Sequence, residues 1–422
     1  MQQYNLLQQR AIDAIEDNVI VEAPAGSGKT STLVGAILKY RSECPTNHIV
    51  AITFTRKAAE ELKLRVRDPD VEISTIHSWA YRRLVNLAIE WGFKVQLLED
   101  DTIKSILKKL SLLRKQAYLN QFQLFSYVMG NYNIDIDEKL KRTFEIIRMD
   151  YIKFKEKNGL YDFTDLPKYL LDKLEEYGCE IDDIDALFVD EFQDIDPVQL
   201  ELFDLVQAQK KVYIGDSKQS IYSFRGSIED VLDKLDGFAR YDLKINYRSY
   251  QEIIDYATTV RDIIYSQAKA NKAGVLGSLF MGASLGILES DIECVRGYGG
   301  KVYTLETIGR AIDVSENKPI NEYTLLRTLL EDSSTYILCR SNRQVKKLQS
   351  MGFENVSTVH QAKGLEYDNV VLVNFPITNK EELNIGYVGM TRAKNKLLIA
   401  DFDTLLYNIC KHELTGASKQ LF

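Results

Sequence analysis

The amino-acid sequence predicts an α/β protein with two parallel-sheet domains in tandem, the first of which contains a helical insertion. Two sets of short apolar runs, separated by helical pattern, predict the sheets. Residues from about 80 to 178 contain helical pattern alone, which predicts the insertion. Runs that are apolar throughout are typical of strands buried on both faces of a parallel sheet.

The predicted strands fall into these two sets in chain order. The first set consists of NVIVEAP, HIVAITF, ALFVDE and KVYIGD, and the second of KVYTLET, STYILCRS, NVVLVNF and NKLLIAD. The helical stretch is rich in Lys, Leu and Glu, which favour helix. We therefore expect a first domain at residues 1–79 and 179–245, the insertion at 80–178 and a second domain at 246–422.

The composition excludes several classes of protein. The 422-residue chain is 45% hydrophobic and 27% charged, as in soluble globular proteins, and it contains no apolar run long enough to span a bilayer. The first residues, MQQYNLLQQR, lack the basic-then-apolar order of a secretory signal, so we expect a cytoplasmic protein with no membrane partner. A formal net charge of −8 argues against coating nucleic acid by charge alone, but it allows a local basic channel.

The segment VEAPAGSGKT, residues 21–30, has the pattern of a phosphate-binding loop, with Ala23 in place of the first motif glycine. A predicted strand precedes it and helical pattern begins near Gly28, which is the context that this motif requires. Small residues allow backbone N–H groups to close around the β- and γ-phosphates of a nucleotide, Lys29 supplies a positive charge, and the Thr30 hydroxyl can bind Mg²⁺. The expected phosphate-binding residues are Ala25, Gly26, Ser27, Gly28, Lys29, Thr30 and Ser31.

A pair of carboxylates ends the predicted strand in ALFVDEFQDIDPVQ. Asp190 and Glu191 would lie at the carboxyl edge of the sheet, where ligands bind in open α/β folds. Asp190 could hold Mg²⁺, and Glu191 could orient or deprotonate an attacking water. Together with the phosphate loop, this pair predicts nucleotide hydrolysis.

Seven further short motifs follow one another along the chain. They are YNLLQQRA, AITFTRKAAEEL, STIHSWAYRRL, GDSKQSIYSFRGS, LKINYRS, STVHQAKGLEYDNVVLV and YVGMTRAKNKLLI. In this order they resemble the motifs of the superfamily 1 DNA helicases of the UvrD/Rep type, and the resemblance extends over both predicted α/β domains. It implies two tandem RecA-like domains that use ATP and Mg²⁺.

The resemblance also implies roles around the nucleotide. Tyr247 would stack on the adenine, Gln8 would read the adenine edge from a motif that includes Asn5, and Glu366 would lie near the ribose or the γ-phosphate. Gln219 would sense the γ-phosphate from the first domain, and two arginines would reach it across an interdomain cleft. The expected catalytic residues are Lys29, Glu191, Gln219, Arg248 and Arg392.

A separate set of residues is expected to contact single-stranded DNA. An aromatic side chain can stack on any base, which suits a motor that moves on any sequence. Phe224 occupies a position where this family usually has Trp. The expected DNA contacts are Phe54, Thr75, His77, Phe224, Arg225, Thr358 and His360.

These features predict an ATP-dependent DNA helicase or translocase that moves 3′ to 5′ on single-stranded DNA and acts at junctions with duplex. Only about a dozen residues separate YILCRSN from NVSTVHQAKG, where longer relatives insert a helical 2B subdomain, so we expect a minimal motor without it. Two alternatives stay open: a DNA-stimulated ATPase subunit of a nuclease, recombination or defence complex, and an ATP-switched factor that clears proteins from DNA with little unwinding. Replication, repair or nuclease proteins are the expected partners.

Overall fold

The computed structural model describes residues 3–130, 138–222, 226–228, 230–271, 287–307 and 310–414. The chain forms two compact units. Unit 1 comprises Met1–Lys39, Glu191–Ile195 and Val212–Phe422, and unit 2 comprises Tyr40–Asp190 and Asp196–Lys211.

The strands include all of the runs that the sequence predicted. In chain order they are β1 (Val19–Glu22), β2 (Ile49–Thr53), β3 (Val71–Thr75), β4 (Ala186–Val189), β5 (Lys210–Gly215), β6 (Ala239–Asp242), β7 (Ile245–Asn246), β8 (Glu293–Cys294), β9 (Lys301–Thr307), β10 (Arg310–Asp313), β11 (Lys318–Ile320), β12 (Thr335–Cys339), β13 (Val356–Thr358), β14 (Tyr367–Asn374) and β15 (Ala393–Asp401). The predicted runs correspond to β1, β2, β4, β5, β9, β12, β14 and β15, which confirms this part of the prediction.

Several strands were not predicted, among them β3, β6 and β13. Each of these three lies at the edge of its sheet. The residues of β6 alternate between half-buried and exposed, and both β3 and β13 contain Ser and Thr. An edge strand is covered less completely than a central one, so it lacks the continuous apolar run on which the prediction depended.

The helices are likewise numbered in chain order. They are α1 (Leu6–Asp13), α2 (Lys29–Glu43), α3 (Arg56–Val66), α4 (Ile76–Trp91), α5 (Asp100–Leu113), α6 (Gln121–Val128), α7 (Glu138–Asn158), α8 (Leu166–Tyr177), α9 (Pro197–Asp204), α10 (Gln251–Asn271), α11 (Glu322–Leu330), α12 (Asn342–Gln349), α13 (Val359–Ala362), α14 (Lys380–Met390) and α15 (Phe402–Lys411). Of the helices in the described ranges, none is both long enough and apolar enough to cross a lipid bilayer.

Unit 2 combines a short parallel sheet with a helical region. Strand β2 pairs in parallel with β3 on one side and with β4 on the other. The described residues between 80 and 178 form α-helices and a 3-10 turn but no strand. Ile103 and Leu107 of α5 share an apolar cluster with Phe144 and Ile147 of α7. Their spacing of three or four residues places each pair on one face of its helix, so this region has a core of its own.

Unit 1 contains strands β5, β1 and β6, which pair in parallel in that order, and a seven-stranded sheet. The larger sheet has the order β11-β10-β9-β15-β14-β12-β13. Its five strands β9, β15, β14, β12 and β13 pair with their neighbours in parallel. Val370 and Leu372 of β14 pack on one face with α10 and α14, whereas Val371 and Val373 pack on the other with α11, α12 and α15. Helices therefore cover both faces, which confirms the predicted α/β class.

A buried ion cluster lies between α7 and α8 of unit 2. The Lys155 ammonium group donates hydrogen bonds to the carboxylates of Asp162 at 2.8 Å and Asp165 at 2.5 Å, and the Tyr151 hydroxyl donates to Asp162 at 2.8 Å. Lys155 is only 5% exposed and Asp162 only 1% exposed. Burial raises the pKa of Asp162, but Lys155 outweighs this effect and holds the pKa below its usual value. Each charge of the cluster therefore depends on its partners.

Replacement of Asp162 by alanine should lower the free energy of unfolding by about 2–4 kcal/mol, because Lys155 then loses a carboxylate partner inside the protein. Urea unfolding at pH 7 measures this loss. Since the pKa of Asp162 is lower in the folded than in the unfolded state, its contribution is present above about pH 4 and shrinks as the pH falls further.

The matched control is Asp101→Ala, because Asp101 is 94% exposed in its side chain and pairs with Lys104 at the surface. Its loss should stay below about 1 kcal/mol. Equal losses in the two variants would contradict the structural role of the buried cluster.

Candidate functional site

The loop between β1 and α2 has a backbone that requires glycine at two positions. Gly26 has φ +74° and Gly28 has φ +85°, in the left-handed region that other residues rarely adopt. A Cβ atom on Gly28 would lie 2.6 Å from Nε2 of Gln8, and one on Gly26 would lie 2.8 Å from Cβ of Arg248. The loop is therefore closely packed by segments that are distant in sequence.

The residues of this loop fit a phosphate ligand. Lys29 begins α2, and Thr30 and Ser31 follow in its first turn. The N-terminal end of a helix attracts anions through its backbone N–H groups and its dipole. Ser27 Oγ is a buried polar atom for which the described residues provide no hydrogen-bond partner. A bound oxyanion would supply the acceptor that this hydroxyl lacks.

Asn246 attaches the segment that carries Tyr247 and Arg248 to the phosphate loop. Its Nδ2 donates to the carbonyl oxygen of Ala25 at 2.6 Å, and the backbone N–H of Tyr247 donates to the Gly26 carbonyl at 2.9 Å. Its Oδ1 accepts from the backbone N–H of Arg248 at 2.8 Å. Sequence reasoning gave Asn246 no role, because its burial at 1% exposure and its hydrogen bonds appear only in the structure.

Helix α1 brings the predicted adenine-reading residues to the same loop. Gln8 Nε2 donates to the carbonyl oxygen of Ser27 at 3.1 Å, and Asn5 Nδ2 donates to the Tyr247 hydroxyl at 2.7 Å. Tyr247 is 44% exposed, so part of this residue is accessible to a ligand. Gln8 and Tyr247 thus lie beside the phosphate loop, and the contact of Asn5 with Tyr247 was not predicted.

Glu191 follows β4 and has an unusual backbone conformation, with φ +51°. Gln193 Nε2 donates to its carboxylate at 2.5 Å, and Gln193 Oε1 accepts from the backbone N–H of Asp216 at 2.9 Å. Burial raises the pKa of Glu191, but Lys29 and Lys363 outweigh burial and lower the pKa to about 2. Glu191 is therefore ionised at neutral pH. Gln193, which sequence reasoning passed over, orients it.

Asp190 precedes Glu191 in the chain and belongs to unit 2. It is 8% exposed, and its backbone N–H donates to the carbonyl oxygen of Ile52 at 2.9 Å. Within the ranges that the structure describes, no group of three or more His, Cys, Asp or Glu residues is placed to hold a metal ion. A metal at Asp190 would thus need ligands other than a cluster of these side chains.

Gln219 and Arg392 are bonded directly to each other. Arg392 Nη2 donates to Oε1 of Gln219 at 3.1 Å, and Gln219 Nε2 donates to Asp216 at 2.5 Å. The other guanidinium nitrogens of Arg392 donate to the carbonyl oxygens of Val388 and Leu365 at 3.0 and 3.1 Å. Burial and the nearby Arg248 lower the pKa of Arg392 to about 9. The arginine is still a cation at neutral pH, but it is held in an environment that favours an added anion.

Arg248 and Glu366 form an ion pair beside Arg392. Arg248 Nε donates to the Glu366 carboxylate at 2.8 Å, and its Nη1 donates to the carbonyl oxygen of Thr391 at 3.2 Å. Lys394 lies 2.8 Å from the other carboxylate oxygen of Glu366. Partial burial raises the pKa of Glu366, but Lys394 and Arg248 outweigh it, so the pKa lies below its usual value. Three predicted residues, Arg248, Glu366 and Arg392, are therefore brought together.

Lys363 is a buried cation that sequence reasoning missed. Its ammonium group donates to the Asp194 carboxylate and, at 3.0 Å, to the carbonyl oxygen of Gln219. It also lies 4.8 Å from the centre of the Tyr222 ring. The side chains of Lys363 and Asp194 are 9% and 1% exposed. Burial raises the pKa of Asp194, and Lys363 limits that rise to about 6.

The predicted DNA-contacting residues of unit 2 follow two neighbouring strands. Thr53 at the end of β2 is in register with Thr75 at the end of β3, and Phe54 comes directly after β2. Thr55 and Thr75 are the N-caps of α3 and α4, and their hydroxyls accept from backbone N–H groups of the first turn. Two helix N-termini therefore begin at the same sheet edge, which is a favourable place for phosphate groups.

His77 lies against the aromatic ring of Phe163. The rings of His77 and Phe163 stack with centroids 5.8 Å apart and planes 15° apart. Phe163 is 49% exposed. Burial lowers the pKa of His77, so its ring is neutral at physiological pH. A base could therefore meet an aromatic pair at this position.

The remaining predicted DNA contacts divide into two groups. Thr358 and His360 belong to unit 1, where Thr358 caps α13 and its hydroxyl accepts from the backbone N–H of Gln361 at 3.3 Å. Phe224 and Arg225 lie outside the described residues.

Comparison with known proteins gives matches over most of the chain. The family profile described as UvrD/REP helicase N-terminal domain matches residues 4–238, more than half of the 422 residues, and that of the UvrD-like helicase C-terminal domain matches residues 301–404. The chain is 31% identical to ATP-dependent DNA helicase Rep of Escherichia coli (strain K12), over 68% of this chain and 47% of that protein.

Two other relatives give a similar result. DNA helicase II of the same strain is 29% identical over 60% of this chain and 39% of its own length. ATP-dependent DNA helicase Rep of Buchnera aphidicola subsp. Schizaphis graminum (strain Sg) is 28% identical over 60% and 43%. The chain thus spans less than half of the length of each of these relatives.

Replacement of Lys363 by methionine should lower the free energy of unfolding by about 3–5 kcal/mol at pH 8, because Asp194 is left buried without its cation. The loss should be smaller at pH 5, where the unpaired carboxyl is protonated in the folded state. Urea unfolding at the two pH values measures this difference.

A second variant, Lys363→Met with Asp194→Leu, should recover most of the loss, since no buried charge remains. The surface control is Lys318→Met, which removes a cation that is 54% exposed and should cost less than about 1 kcal/mol. A loss in Lys363→Met that is no greater than in this control would contradict the pairing.

Proposed function

Because the chain belongs to the UvrD/Rep helicase family, we propose that it is an ATP-dependent DNA helicase that moves 3′ to 5′ along single-stranded DNA. One observation carries the proposal: unit 1 gathers the phosphate loop, Glu191, Gln219, Arg248 and Arg392 around one place. Cations, a carboxylate and a helix N-terminus are the groups that phosphoryl transfer from a nucleotide requires.

We infer that the nucleotide is held by α1, the phosphate loop and the segment after β7. Backbone N–H groups of residues 25–31 and the Lys29 ammonium group would bind the phosphates. Tyr247 would stack on the base, supported by its position beside Asn5. Gln8 would contact the edge of the base, supported by its position beside Gly28. Glu366, which is paired with Arg248, would lie near the ribose or the γ-phosphate.

Mg²⁺ would bind to Thr30, Asp190 and the phosphate oxygens, and it would neutralise part of the phosphate charge. This ion usually keeps several waters and takes few protein ligands, so a cluster of carboxylates is not required.

Hydrolysis would rest on residues with separate tasks. Because the pKa of Glu191 is about 2, the carboxylate stays ionised, accepts a hydrogen bond from the attacking water and orients it. The same carboxylate could alternatively take a proton from that water. Gln219, Arg248 and Arg392 would stabilise the charge on the transferred phosphoryl group, and such an arginine is typically worth about 10³ to 10⁵ in rate.

Single-stranded DNA would contact residues on both units. Phe54, Thr75 and His77 follow β2 and β3, and we add Phe163 because its exposed ring stacks on His77. Base stacking of this kind contributes about 1–3 kcal/mol per base and depends little on sequence. Thr358, His360, Phe224 and Arg225 complete the proposed set. Junctions with duplex DNA are the proposed substrate.

We further infer a first RecA-like domain at residues 1–79 and 179–245, a helical insertion at 80–178 and a second RecA-like domain at 246–422. Closure of these domains on ATP would couple hydrolysis to steps along the strand. In place of a 2B-type insertion, only α12 stands between β12 and β13.

Partial duplexes with 3′ or 5′ overhangs test the direction of movement. Absence of strand separation with intact DNA-stimulated ATPase would favour a translocase or a subunit of a larger complex.

Lys29→Ala should weaken both nucleotide binding and hydrolysis, because it removes the phosphate-binding cation. Glu191→Gln should keep binding but lose turnover by about two orders of magnitude or more, since the amide is not charged and orients water poorly. The measurements are binding of a fluorescent ATP analogue and ATPase with and without single-stranded DNA. Glu201→Gln, at an exposed position, is the control. DNA-stimulated ATPase that persists in Glu191→Gln would refute the assignment.

Arg248→Ala and Arg392→Ala should each lower kcat by about 10³-fold or more, because a phosphate clamp acts chiefly on the transition state. Affinity for single-stranded DNA without nucleotide should change little, and fluorescence anisotropy measures it. Arg240→Ala removes an arginine that is 43% exposed and serves as the control. Parallel losses of nucleotide-free DNA binding and turnover would indicate that these arginines bind DNA instead.

A further inference from the structure

Glu22 is a carboxylate at the very start of the phosphate loop that no catalytic role accounts for. It is the last residue of β1, and its Oε1 accepts two hydrogen bonds from Ser217: one from the backbone N–H and one from the hydroxyl, both at 2.8 Å. Ser217 is distant in sequence and begins the 3-10 turn Ser217–Gln219. A side chain of the phosphate-loop strand therefore holds this turn directly.

The turn that Glu22 holds also carries Gln219. Gln219 Nε2 donates to Asp216, directly before the turn, and its Oε1 accepts from Arg392. The turn spans only three residues, so a displacement of Ser217 is also a displacement of Gln219. Hydrogen bonds join Glu22 of β1 to Ser217 and Gln219 to Arg392, and the backbone of the short turn connects the two sets.

The carboxylate of Glu22 is close enough to both Lys29 and Asp216 for their charges to affect its pKa. Burial and Asp216 raise the pKa of Glu22 to about 7, although the Ser217 hydrogen bonds and Lys29 oppose the rise. An ionised Glu22 would repel the phosphates of a bound nucleotide, so a carboxylate here does not favour nucleotide binding. Its two hydrogen bonds to Ser217 are the contribution that offsets this cost.

We propose that Glu22 is a positioning residue that ties the turn Ser217–Gln219 to the phosphate-loop strand, and thereby sets the positions of Gln219 and Arg392 relative to Lys29. This inference rests on the proposed ATPase function. It assigns Glu22 no contact with the reacting atoms. The role requires an acceptor oxygen at this position, whereas the negative charge is not required.

The test compares Glu22→Ala with Glu22→Gln in the full chain. Glu22→Ala loses the acceptor and should lower kcat for DNA-stimulated ATP hydrolysis about tenfold, while KM for ATP stays the same or falls because a repelling charge is gone. Glu22→Gln keeps an acceptor oxygen, so kcat should remain within about threefold of the wild type, again with an unchanged or lower KM. A merely structural defect would raise KM and would not be rescued by glutamine.

Asp242→Asn is the matched control for charge. Asp242 pairs in register with Glu22 on the neighbouring β6 and is exposed, so this variant removes a carboxylate from the same sheet edge without touching Ser217. Neither kcat nor KM should change. Wild-type kcat in Glu22→Ala, or an equal loss in Glu22→Gln and Glu22→Ala, would overturn the proposal.

A measurement without nucleotide separates this inference from the proposed function. Urea unfolding of the two single variants, Glu22→Ala and Ser217→Ala, and of the double variant gives the unfolding equilibrium constant of each. The factor by which the double variant changes this constant should be smaller, by about threefold or more, than the product of the two single factors. Because Ser217→Ala removes the hydroxyl and keeps the backbone N–H, independent effects would overturn the link through the Ser217 side chain. If the wild type lacks DNA-stimulated ATPase, the proposed function fails, whereas this double-mutant cycle still decides whether Glu22 holds the turn.

Discussion

Compensation of buried charge around the phosphate loop is the constraint on which the rest of unit 1 depends. Asp194 is a buried carboxylate and Glu191 a partly buried one, and Lys29 and Lys363 are close enough to both to lower their pKa values. A buried charge is tolerated only with a partner, so these residues cannot vary independently. The pKa of Glu191 falls because of the nearby cations, whereas burial and the negative charge of Glu191 together raise the pKa of Asp194. A polyphosphate ligand would enter this balance as a further anion.

Hydrogen bonds of short reach hold the site together across long sequence separations. Asn246 contacts the Ala25 carbonyl, Arg392 contacts Gln219, and Gln193 joins Glu191 to the backbone of Asp216. Hydrogen bonds weaken steeply beyond their normal length, so each contact transmits a small displacement to the next residue. Residues from different motifs are therefore held in one hydrogen-bonded arrangement.

The proposed nucleic-acid contacts of unit 2 lie at a sheet edge and at helix N-termini. With a formal charge of −8, the chain does not attract DNA by its total charge. Strands β2 and β3 instead end side by side, and α3 and α4 begin there with their first backbone N–H groups at that edge. Phe163 over His77 adds an aromatic surface. Such an arrangement suits binding that tolerates any base sequence.

The sequence by itself determined the α/β class, the central strands and the motif residues, because continuous apolar runs and the phosphate-loop pattern are local properties of the chain. It did not reveal edge strands such as β6, which pairs with one neighbouring strand and whose residues are half-buried or exposed. Nor could it identify Asn246, Lys363 or the link from Glu22 to Ser217. Only the tertiary structure decided these contacts. Ser217 is nearly 200 residues from Glu22, so no short sequence motif contains both residues. Whether they form a hydrogen bond depends on their distance to within a few tenths of an ångström, which the fold of the whole chain sets.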